Sequence, residues 1–233
     1  MTASEVQGGV GTAQMGGLFI TFEGIDGCGK STQARMLGER MRAEGLPVLE
    51  TREPGGTEIG NQMRRILLDE ANTALVPKAE LLLYLADRVQ HLEECILPAL
   101  RAGQTVLCDR YHDATVAYQQ YGRGLSLESL RGFIEPEIMA HPPHLTFWMD
   151  ITPAEARTRM EERARTDASQ AGQGRFDLAH ADFHDRVRAG YQALYAAHPG
   201  RIVRLDAAGT REEIHALVWD TVWATMEERR GGR

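Results

Sequence analysis

Residues 24–31 carry a spacing of residue types that binds phosphate groups. Their sequence is GIDGCGKS, which fits the pattern G-x-x-x-x-G-K-[ST]. Glycines let backbone N–H groups approach phosphate oxygens, the lysine reaches the β- and γ-phosphates, and the final hydroxyl serves Mg²⁺. A helix that begins here would add the partial positive charge of its N-terminus. The pattern predicts a nucleotide-phosphate site formed by Gly24, Ile25, Asp26, Gly27, Cys28, Gly29, Lys30, Ser31 and Thr32.

Two aspartates end other apolar runs of the sequence. Asp109 ends TVLCD, where a carboxylate can position Mg²⁺, although a helix-capping aspartate could occupy the same place. Asp150 ends FWMD, and because Thr152 and Pro153 follow it at once we interpret it as a cap-and-turn residue. We interpret Cys28 as a small loop residue and not as a nucleophile.

Apolar runs alternate with segments of helical spacing, which predicts the elements that must position these residues. The predicted strands are LFITFEG, PVLETR, QTVLCD, HLTFWMD and RIVRLD. Strands that alternate with helices indicate an α/β domain, in which a five-stranded parallel sheet carries helices on both faces. Ligands of such sheets bind beyond the carboxyl ends of the strands, where the candidate polar residues lie.

The spacing of apolar residues predicts the helices and leaves the N-terminal tail and one loop without regular structure. The segment 79–100 is expected to kink or end at Pro98. We expect residues 1–17 to form a disordered tail, residues 18–233 to form one domain, and residues 166–180 to be a mobile loop. Helices are predicted at 31–44, 58–70, 79–100, 113–121, 126–140, 153–165, 182–197 and 211–229, the last with an apolar stripe of Ile214, Leu217, Val218 and Val222.

The composition excludes several broad classes of protein. The 233 residues carry a formal net charge of −7, and 24 of the 26 basic residues are arginine. This charge argues against general binding to nucleic acid or anionic membranes, although a local basic pocket remains compatible with it. No run approaches about 18 apolar residues, so no membrane span is expected. The three cysteines form no C-x-x-C pair, which favours a reducing, cytoplasmic location.

Three classes of phosphate-loop protein compete for this sequence. A GTPase would carry N-K-x-D, yet neither of the two lysines follows an asparagine. A motor or regulatory ATPase usually has a strand that ends in paired acids, whereas VLCDR ends in Asp-Arg. A small kinase needs an acceptor pocket and arginines that neutralise moving charge, and this sequence supplies candidates for both.

Four segments together resemble the bacterial thymidylate kinase family of P-loop nucleoside monophosphate kinases. They are FEGIDGCGKSTQ, TREPGGTEIG, CDRYHDATVAYQ and RFD, and the resemblance covers roughly residues 18–228. It implies a three-layer P-loop NTPase fold with a lid at about 163–180. It also implies phosphorylation of dTMP to dTDP by ATP and Mg²⁺, for dTTP synthesis, in a cytoplasmic homodimer that forms through the region 58–100. Leu81 and Leu82 of that region could equally be core residues.

The resemblance assigns one set of residues to the acceptor phosphate and the metal. Asp26 would face the acceptor sugar and phosphate, and Glu53 would lie near the acceptor phosphate and its metal. Arg64 and Arg110 would contact the dTMP phosphate. Ser31, Glu53 and Asp109 are the implied metal residues.

The family resemblance assigns a second set of residues to the thymidine part of the substrate. Tyr84 would stack on thymine and Arg88 would bond its O4 atom, and their i, i+4 spacing puts both on one helix face. A plain core aromatic is the alternative for Tyr84. Thr115 and Gln119, also at i, i+4, would lie at the thymine edge. Tyr118 would pack under the sugar and exclude a 2′-hydroxyl.

The resemblance also implies an arginine that reaches the transferring phosphate from the lid. The position after Asp26, where some relatives carry that arginine, is Gly27. Arg175 in RFD is the first candidate and Arg163 the second, whereas Arg157 and Arg159 are expected at the surface. The predicted catalytic residues are therefore Asp26, Lys30, Arg110, Arg163 and Arg175. Another deoxynucleotide or nucleoside kinase, or a non-catalytic nucleotide-binding regulator, remains an alternative.

Overall fold

A five-stranded parallel sheet forms the centre of the protein, as predicted. Our computed structural model describes residues 17–126, 128, 140–166 and 181–231. The strand order is β2-β3-β1-β4-β5, and all neighbours pair in parallel. The strands are β1 (Phe19–Glu23), β2 (Val48–Arg52), β3 (Thr105–Asp109), β4 (Leu145–Asp150) and β5 (Ile202–Asp206).

Helices cover both faces of this sheet. Neighbouring residues of a strand point to opposite faces, and Phe19 and Ile20 of β1 accordingly belong to different buried clusters, the first with Ile96 and the second with Leu37. The helices are α1 (Lys30–Ala43), α2 (Glu58–Leu68), α3 (Pro77–His91), α4 (Leu97–Arg101), α5 (His112–Thr115), α6 (Pro153–Thr166), α7 (Ala181–Ala197) and α8 (Arg211–Gly231).

Two of the predicted helices contain π-helical turns. The predicted helix 79–100 consists of α3, a π-helical segment Leu92–Ile96, and α4. Pro98 does not end it, since the π-helical segment continues directly into α4, whose first turn contains Pro98. The predicted helix 113–121 is the short α5 followed by a second π-helical segment, Val116–Gly122.

The burial of three leucines settles two expectations about the core. Leu217 is 55% exposed, so it does not belong to the buried stripe of α8. Leu81 is buried and Leu82 is 51% exposed, so Leu81 is a core residue and Leu82 is a surface residue.

Most of the predicted tail, of the helix 126–140 and of the mobile loop lies outside the described residues. Within the described part of the chain, every helix is too short or too polar to cross a membrane.

Asp150 is an ion-pair centre and does not cap the following helix. Its carboxylate accepts hydrogen bonds from Arg188 of α7 (Nε to Oδ1, 2.7 Å) and from Arg204 of β5 (Nε to Oδ2, 2.9 Å). The cap of α6 is instead the pair Thr152 and Glu155, in which each side chain accepts from the other residue's backbone N–H. The cap-and-turn interpretation of Asp150 is therefore wrong.

Candidate active site

A cleft of about 700 Å³ opens at the carboxyl edge of the sheet. Its walls are the loops that follow β1, β2 and β3, together with side chains of α3, α6 and the segment 111–119. The cleft brings together most of the predicted site. Among the predicted residues, its lining includes Ile25, Asp26, Gly27, Gly29, Lys30, Ser31, Thr32, Glu53, Arg64, Tyr84, Arg88, Asp109, Arg110, Thr115, Tyr118, Gln119 and Arg163.

The loop after β1 has the conformation that its glycines permit. Gly24 has a φ of 137°, and a Cβ atom there would lie 2.6 Å from the carbonyl oxygen of Met149. The loop leads directly into α1, whose first residue is Lys30. The ammonium of Lys30 donates to the Ile25 carbonyl (2.8 Å) and lies 3.9 Å from Oδ1 of Asp26. Its charge therefore lies over the loop, where nucleotide phosphates would bind.

Ser31 and Asp109 meet at the mouth of this loop. The Ser31 hydroxyl donates a hydrogen bond to the Asp109 carboxylate, although the two residues are 78 positions apart in sequence. A hydroxyl and a carboxylate supply the oxygen ligands that Mg²⁺ takes beside nucleotide phosphates. The donor set at this place therefore fits the predicted metal ion.

Arg110 is held at the centre of the cleft by four partners. Nη2 donates to Oδ1 of Asp26 (2.7 Å) and to the Tyr118 hydroxyl (3.0 Å), and Nη1 donates to the Gly24 carbonyl (3.0 Å) and to the Tyr191 hydroxyl (3.3 Å). Burial works to raise the pKa of Asp26, but the charges of Arg110 and Lys30 hold that pKa below its usual range. Asp26 is therefore anionic, and it contacts both cations.

A buried glutamate that sequence reasoning missed lies behind Arg110. Glu23, the last residue of β1, accepts from the Tyr111 backbone N–H (2.7 Å) and from the Tyr191 hydroxyl (2.8 Å). Arg110 has a φ of 69°, a left-handed conformation that is unusual for a side-chain-bearing residue. The Arg110 backbone N–H donates to the Phe22 carbonyl (3.0 Å), and this bond and the one from Tyr111 N–H to Glu23 hold the conformation. Burial and the neighbouring Asp113 raise the pKa of Glu23 to about 7.

Arg88 and Glu53 form a buried ion pair on the acceptor side of the cleft. Arg88 Nε donates to Oε2 of Glu53 (2.6 Å), Nη1 to the Thr115 hydroxyl (2.8 Å) and Nη2 to the Tyr111 carbonyl (3.0 Å). The second Glu53 oxygen lies 3.1 Å from Nδ1 of His91. Burial works to raise the pKa of Glu53, but Arg88 and His91 keep it lowered. With both oxygens engaged by protein, Glu53 is poorly placed to bind a metal directly.

Asp87, which the sequence did not single out, holds the loop that carries Glu53. Its two carboxylate oxygens lie 3.0 and 3.1 Å from the Gly55 backbone N–H. Burial and the nearby Glu53 charge raise the pKa of Asp87 to about 7. The spacing of Asp87 and His91 at i, i+4 beside Arg88 is the signal that could have found this support.

A second arginine joins Arg64 near the predicted acceptor-phosphate position. Arg64 Nη1 donates to the Pro54 carbonyl (2.8 Å), and Arg52 lines the same part of the cleft. Burial and the charge of Arg52 lower the pKa of Arg64. Arg52 lies in the TREPGG segment at the exposed end of β2. No pattern in the sequence distinguished it from its neighbours. These cations would attract an anionic acceptor.

The remaining predicted residues differ in how the structure places them. Tyr84 is half-buried and lines the cleft, so it is not a plain core aromatic. Arg163 and Arg157 of α6 are both exposed and both line the cleft, although Arg157 was expected only at the surface. Arg175 lies outside the described residues.

The fold and the cleft define a P-loop kinase that acts on a small acceptor. A phosphate loop follows the central strand of a parallel sheet, and arginines line the same cleft opposite this loop. Comparison with known proteins agrees. The sequence profile of the thymidylate kinase family matches residues 22–218.

Curated relatives and a solved structure carry the same family name. The chain is 46% identical over 205 residues to a thymidylate kinase of Solidesulfovibrio magneticus, covering 88% of this chain and 98% of that protein. It is 45% identical over 209 residues to a thymidylate kinase of Trichlorobacter lovleyi, covering 90% and 98%. The crystal structure of thymidylate kinase from Ehrlichia chaffeensis superposes with a TM-score of 0.68 at 31% identity, covering 89% and 99%. The chain therefore belongs to the thymidylate kinase family, whose reaction is the phosphorylation of dTMP to dTDP with ATP.

Proposed function

We propose that the acceptor and donor phosphates meet between Lys30 and Arg110 and react there by in-line transfer. The observation that carries this proposal is the position of Asp26, which is 3.9 Å from Lys30 and 2.7 Å from Arg110. One cation follows the donor loop and the other follows β3, so a single side chain spans the gap between the two subsites. A γ-phosphate held by Lys30 would lie within reach of an acceptor held by Arg110.

The reaction in this cleft needs charge stabilisation more than proton transfer. A phosphate oxygen of dTMP is already anionic at neutral pH, so it attacks the γ-phosphorus without a strong general base. The bond to the β,γ-bridging oxygen breaks as the new bond forms, and Lys30 and Arg110 stabilise the charge on the transferring group. Arg52 and Arg64 hold the acceptor phosphate in line.

Mg²⁺ is assigned to Ser31 and Asp109. Among the residues that the structure describes, no group of three or more histidine, cysteine, aspartate or glutamate side chains could hold a metal alone. The nucleotide phosphates would supply the other ligands, as is usual for Mg²⁺. The ion, when bound, neutralises charge on the β- and γ-phosphates. Glu53 is not included among these metal ligands, and its proposed role is to orient Arg88.

The thymine pocket is assigned to the residues that face the cleft from α3 and the segment 115–119. Tyr84 supplies the stacking surface, and Arg88 has two N–H groups beyond the three used in its protein hydrogen bonds to reach O4. Gln119, beside Thr115, faces the N3 edge of the base. Tyr118, 5% exposed, packs where a 2′-hydroxyl would lie.

The arginine of the lid is assigned to Arg175, with Arg163 as the second candidate. The support is the geometry of Gly27, whose φ is 82° and where a Cβ atom would lie 2.6 Å from the Ala156 carbonyl oxygen. A side chain at this loop position would collide with α6, so the loop itself cannot supply an arginine here. Arg163 already lines the cleft.

We also propose that the protein forms a homodimer through α2 and α3 and that it acts in the cytoplasm. Three large apolar side chains of these helices are close to half exposed, namely Ile59 (47%), Ile66 (46%) and Leu82 (51%). Such a group of apolar residues on neighbouring helices is typical of an interface. The three cysteines are free thiols, which suits a reducing compartment.

A panel of nucleoside monophosphates tests the proposed site. With ATP and Mg²⁺ we expect dTMP to be the preferred acceptor, and we expect turnover to be lost on chelation of Mg²⁺ or in Lys30→Ala, whose circular dichroism should match that of the wild type. Faster turnover of AMP, GMP or dCMP would make the protein a different nucleotide kinase. ATP binding without transfer to any acceptor would favour a regulator.

A further inference from the structure

Glu80 is a buried carboxylate beside the proposed base pocket that no step of the reaction uses. It lies in the first turn of α3 and is 0% exposed. Its Oε1 accepts from the side-chain amide Nε2 of Gln119 (3.3 Å) and from Nε of Arg123 (3.3 Å), and its Oε2 accepts from Nη2 of Arg123 (2.9 Å). Gln119 is 2% exposed and lines the cleft. Glu80 therefore contacts a residue of the proposed base pocket but does not itself line the cleft.

This contact decides which way the amide of Gln119 is turned. A side-chain amide has nearly the same shape in both orientations, so only its hydrogen-bond partners fix the position of oxygen and nitrogen. An ionised carboxylate can only accept hydrogen bonds. The amino group of Gln119 must therefore face Glu80, and its carbonyl oxygen is left as the polar atom for the cleft.

We propose that Glu80 is a positioning residue that makes the pocket select thymine or uracil against cytosine, by turning the Gln119 carbonyl oxygen toward N3 of the base. The inference rests on the proposed assignment of Arg88 and Gln119 to the base. Thymine and uracil present an acceptor at O4 and a donor at N3, whereas cytosine presents a donor at N4 and an acceptor at N3. Arg88 can only donate, so a fixed acceptor at Gln119 completes the pattern that matches thymine and opposes cytosine.

Two routes by which Glu80 can affect activity have to be separated. If the Glu80–Arg123 ion pair merely supports the fold, its loss lowers activity with every acceptor alike. If Glu80 fixes the amide, its loss lets Gln119 turn and present an amino group to N3 of cytosine. The ratio of kcat/KM for dTMP to kcat/KM for dCMP responds only to the second route, because the two acceptors share the same sugar and phosphate.

The test compares Glu80→Gln with Arg123→Gln. The amide in Glu80→Gln can donate as well as accept, so it no longer forbids the turned orientation of Gln119. We expect the dTMP-to-dCMP ratio to fall about tenfold or more, mainly through the two KM values, while kcat for dTMP changes little. Arg123→Gln removes the ion pair but keeps the carboxylate beside Gln119, so we expect a lower melting temperature and an unchanged ratio.

A second variant keeps the test decisive if Glu80→Gln does not fold. Glu80→Asp retains a charge for Arg123 but withdraws the carboxylate from Gln119 by one methylene group, and the same fall in the ratio is expected. An unchanged ratio in the folded Glu80 variants, or an equal fall in Arg123→Gln, overturns the inference. A wild-type protein that does not prefer dTMP over dCMP would instead overturn the proposed base pocket.

Discussion

The buried ion pair between Glu53 and Arg88 predicts a large and measurable coupling energy. Both side chains are 3% exposed, and Nε and Oε2 are 2.6 Å apart. Removal of one partner of such a pair leaves a buried charge without compensation, which costs about 3–5 kcal/mol. We therefore expect Glu53→Gln to lower the free energy of unfolding by about 3 kcal/mol, toward the low end because glutamine can still accept one hydrogen bond.

A double-mutant cycle isolates the pair from the general loss of packing. Glu53→Gln, Arg88→Met and the double variant are compared by urea denaturation at pH 7.5, with equal m-values as the check for two-state unfolding. Because the double variant leaves no unpaired charge, it should lose less stability than the sum of the single variants, by about 2–3 kcal/mol. Additive losses, within about 0.5 kcal/mol, would contradict the argument.

The chain offers a matched control for this cycle. Arg35 and Glu39 of α1 form an ion pair with a similar distance of 2.7 Å, but their side chains are 57% and 58% exposed. Water screens such a pair, so we expect its coupling energy to be about 0.5 kcal/mol or less. A coupling in this pair as large as that between Glu53 and Arg88 would show that distance, not burial, sets the energy.

The same pair has a predicted dependence on pH. The pKa of Glu53 is lowered in the folded protein from its ordinary value of 4.5, so the unfolded state takes up the proton first as the pH falls. The contribution of the pair is then fully present above about pH 5 and is lost as the pH falls further. At pH 4 the cycle should give a smaller coupling energy than at pH 7.5, and a coupling that grows on acidification would have the wrong sign.

Three other predictions concern separate parts of the molecule. Because the pKa of Glu23 is raised from 4.5 to about 7, Glu23→Gln should gain stability relative to the wild type as the pH rises from 5 to 7.5, by up to about 1.4 kcal/mol per pH unit in urea denaturation; a parallel pH profile contradicts this. Arg175→Ala should lower kcat about 10³-fold at steady state, and an unchanged kcat moves the role to Arg163. Leu82→Arg should give a monomer in light scattering, whereas Leu217→Arg, at a similarly exposed apolar position, should not.

The fold was predictable because its signals are local. Each strand is a short segment rich in apolar or β-branched residues, and the phosphate loop is eight consecutive residues whose glycines indicate an unusual backbone conformation. The π-helical turns before Pro98 and after Thr115 were not predictable, since the helical spacing of apolar residues continues through both. The left-handed conformation of Arg110 was also hidden, because residue type argues against it and the partners around it, such as Glu23 and Tyr191, come from distant parts of the chain.

The support of the candidate site was harder to predict than the residues that face the cleft. The partners of Arg88 are Glu53, Tyr111 and Thr115, which lie 35, 23 and 27 positions away. The resemblance gave Arg88 a ligand role, but no spacing in the sequence indicates that it is paired with Glu53. The same holds for Asp150, whose partners Arg188 and Arg204 come from a helix and a strand that follow it. Pairing of charges across the fold is tertiary information.

These contacts give a physical reason for arginine at the candidate site. Arg88 uses three of its five N–H groups on protein partners within the described residues, which fixes the guanidinium and leaves two for a ligand. A lysine has three N–H groups on a flexible stem, so it could not be fixed in this way and still donate twice. Arg110 commits all four of its Nη hydrogens, one of them to Asp26. A phosphate can therefore bond to Arg110 only through its Nε–H group or in place of one of these four partners. Asp26 is the anionic partner among the four, and its carboxylate balances the charge of this guanidinium.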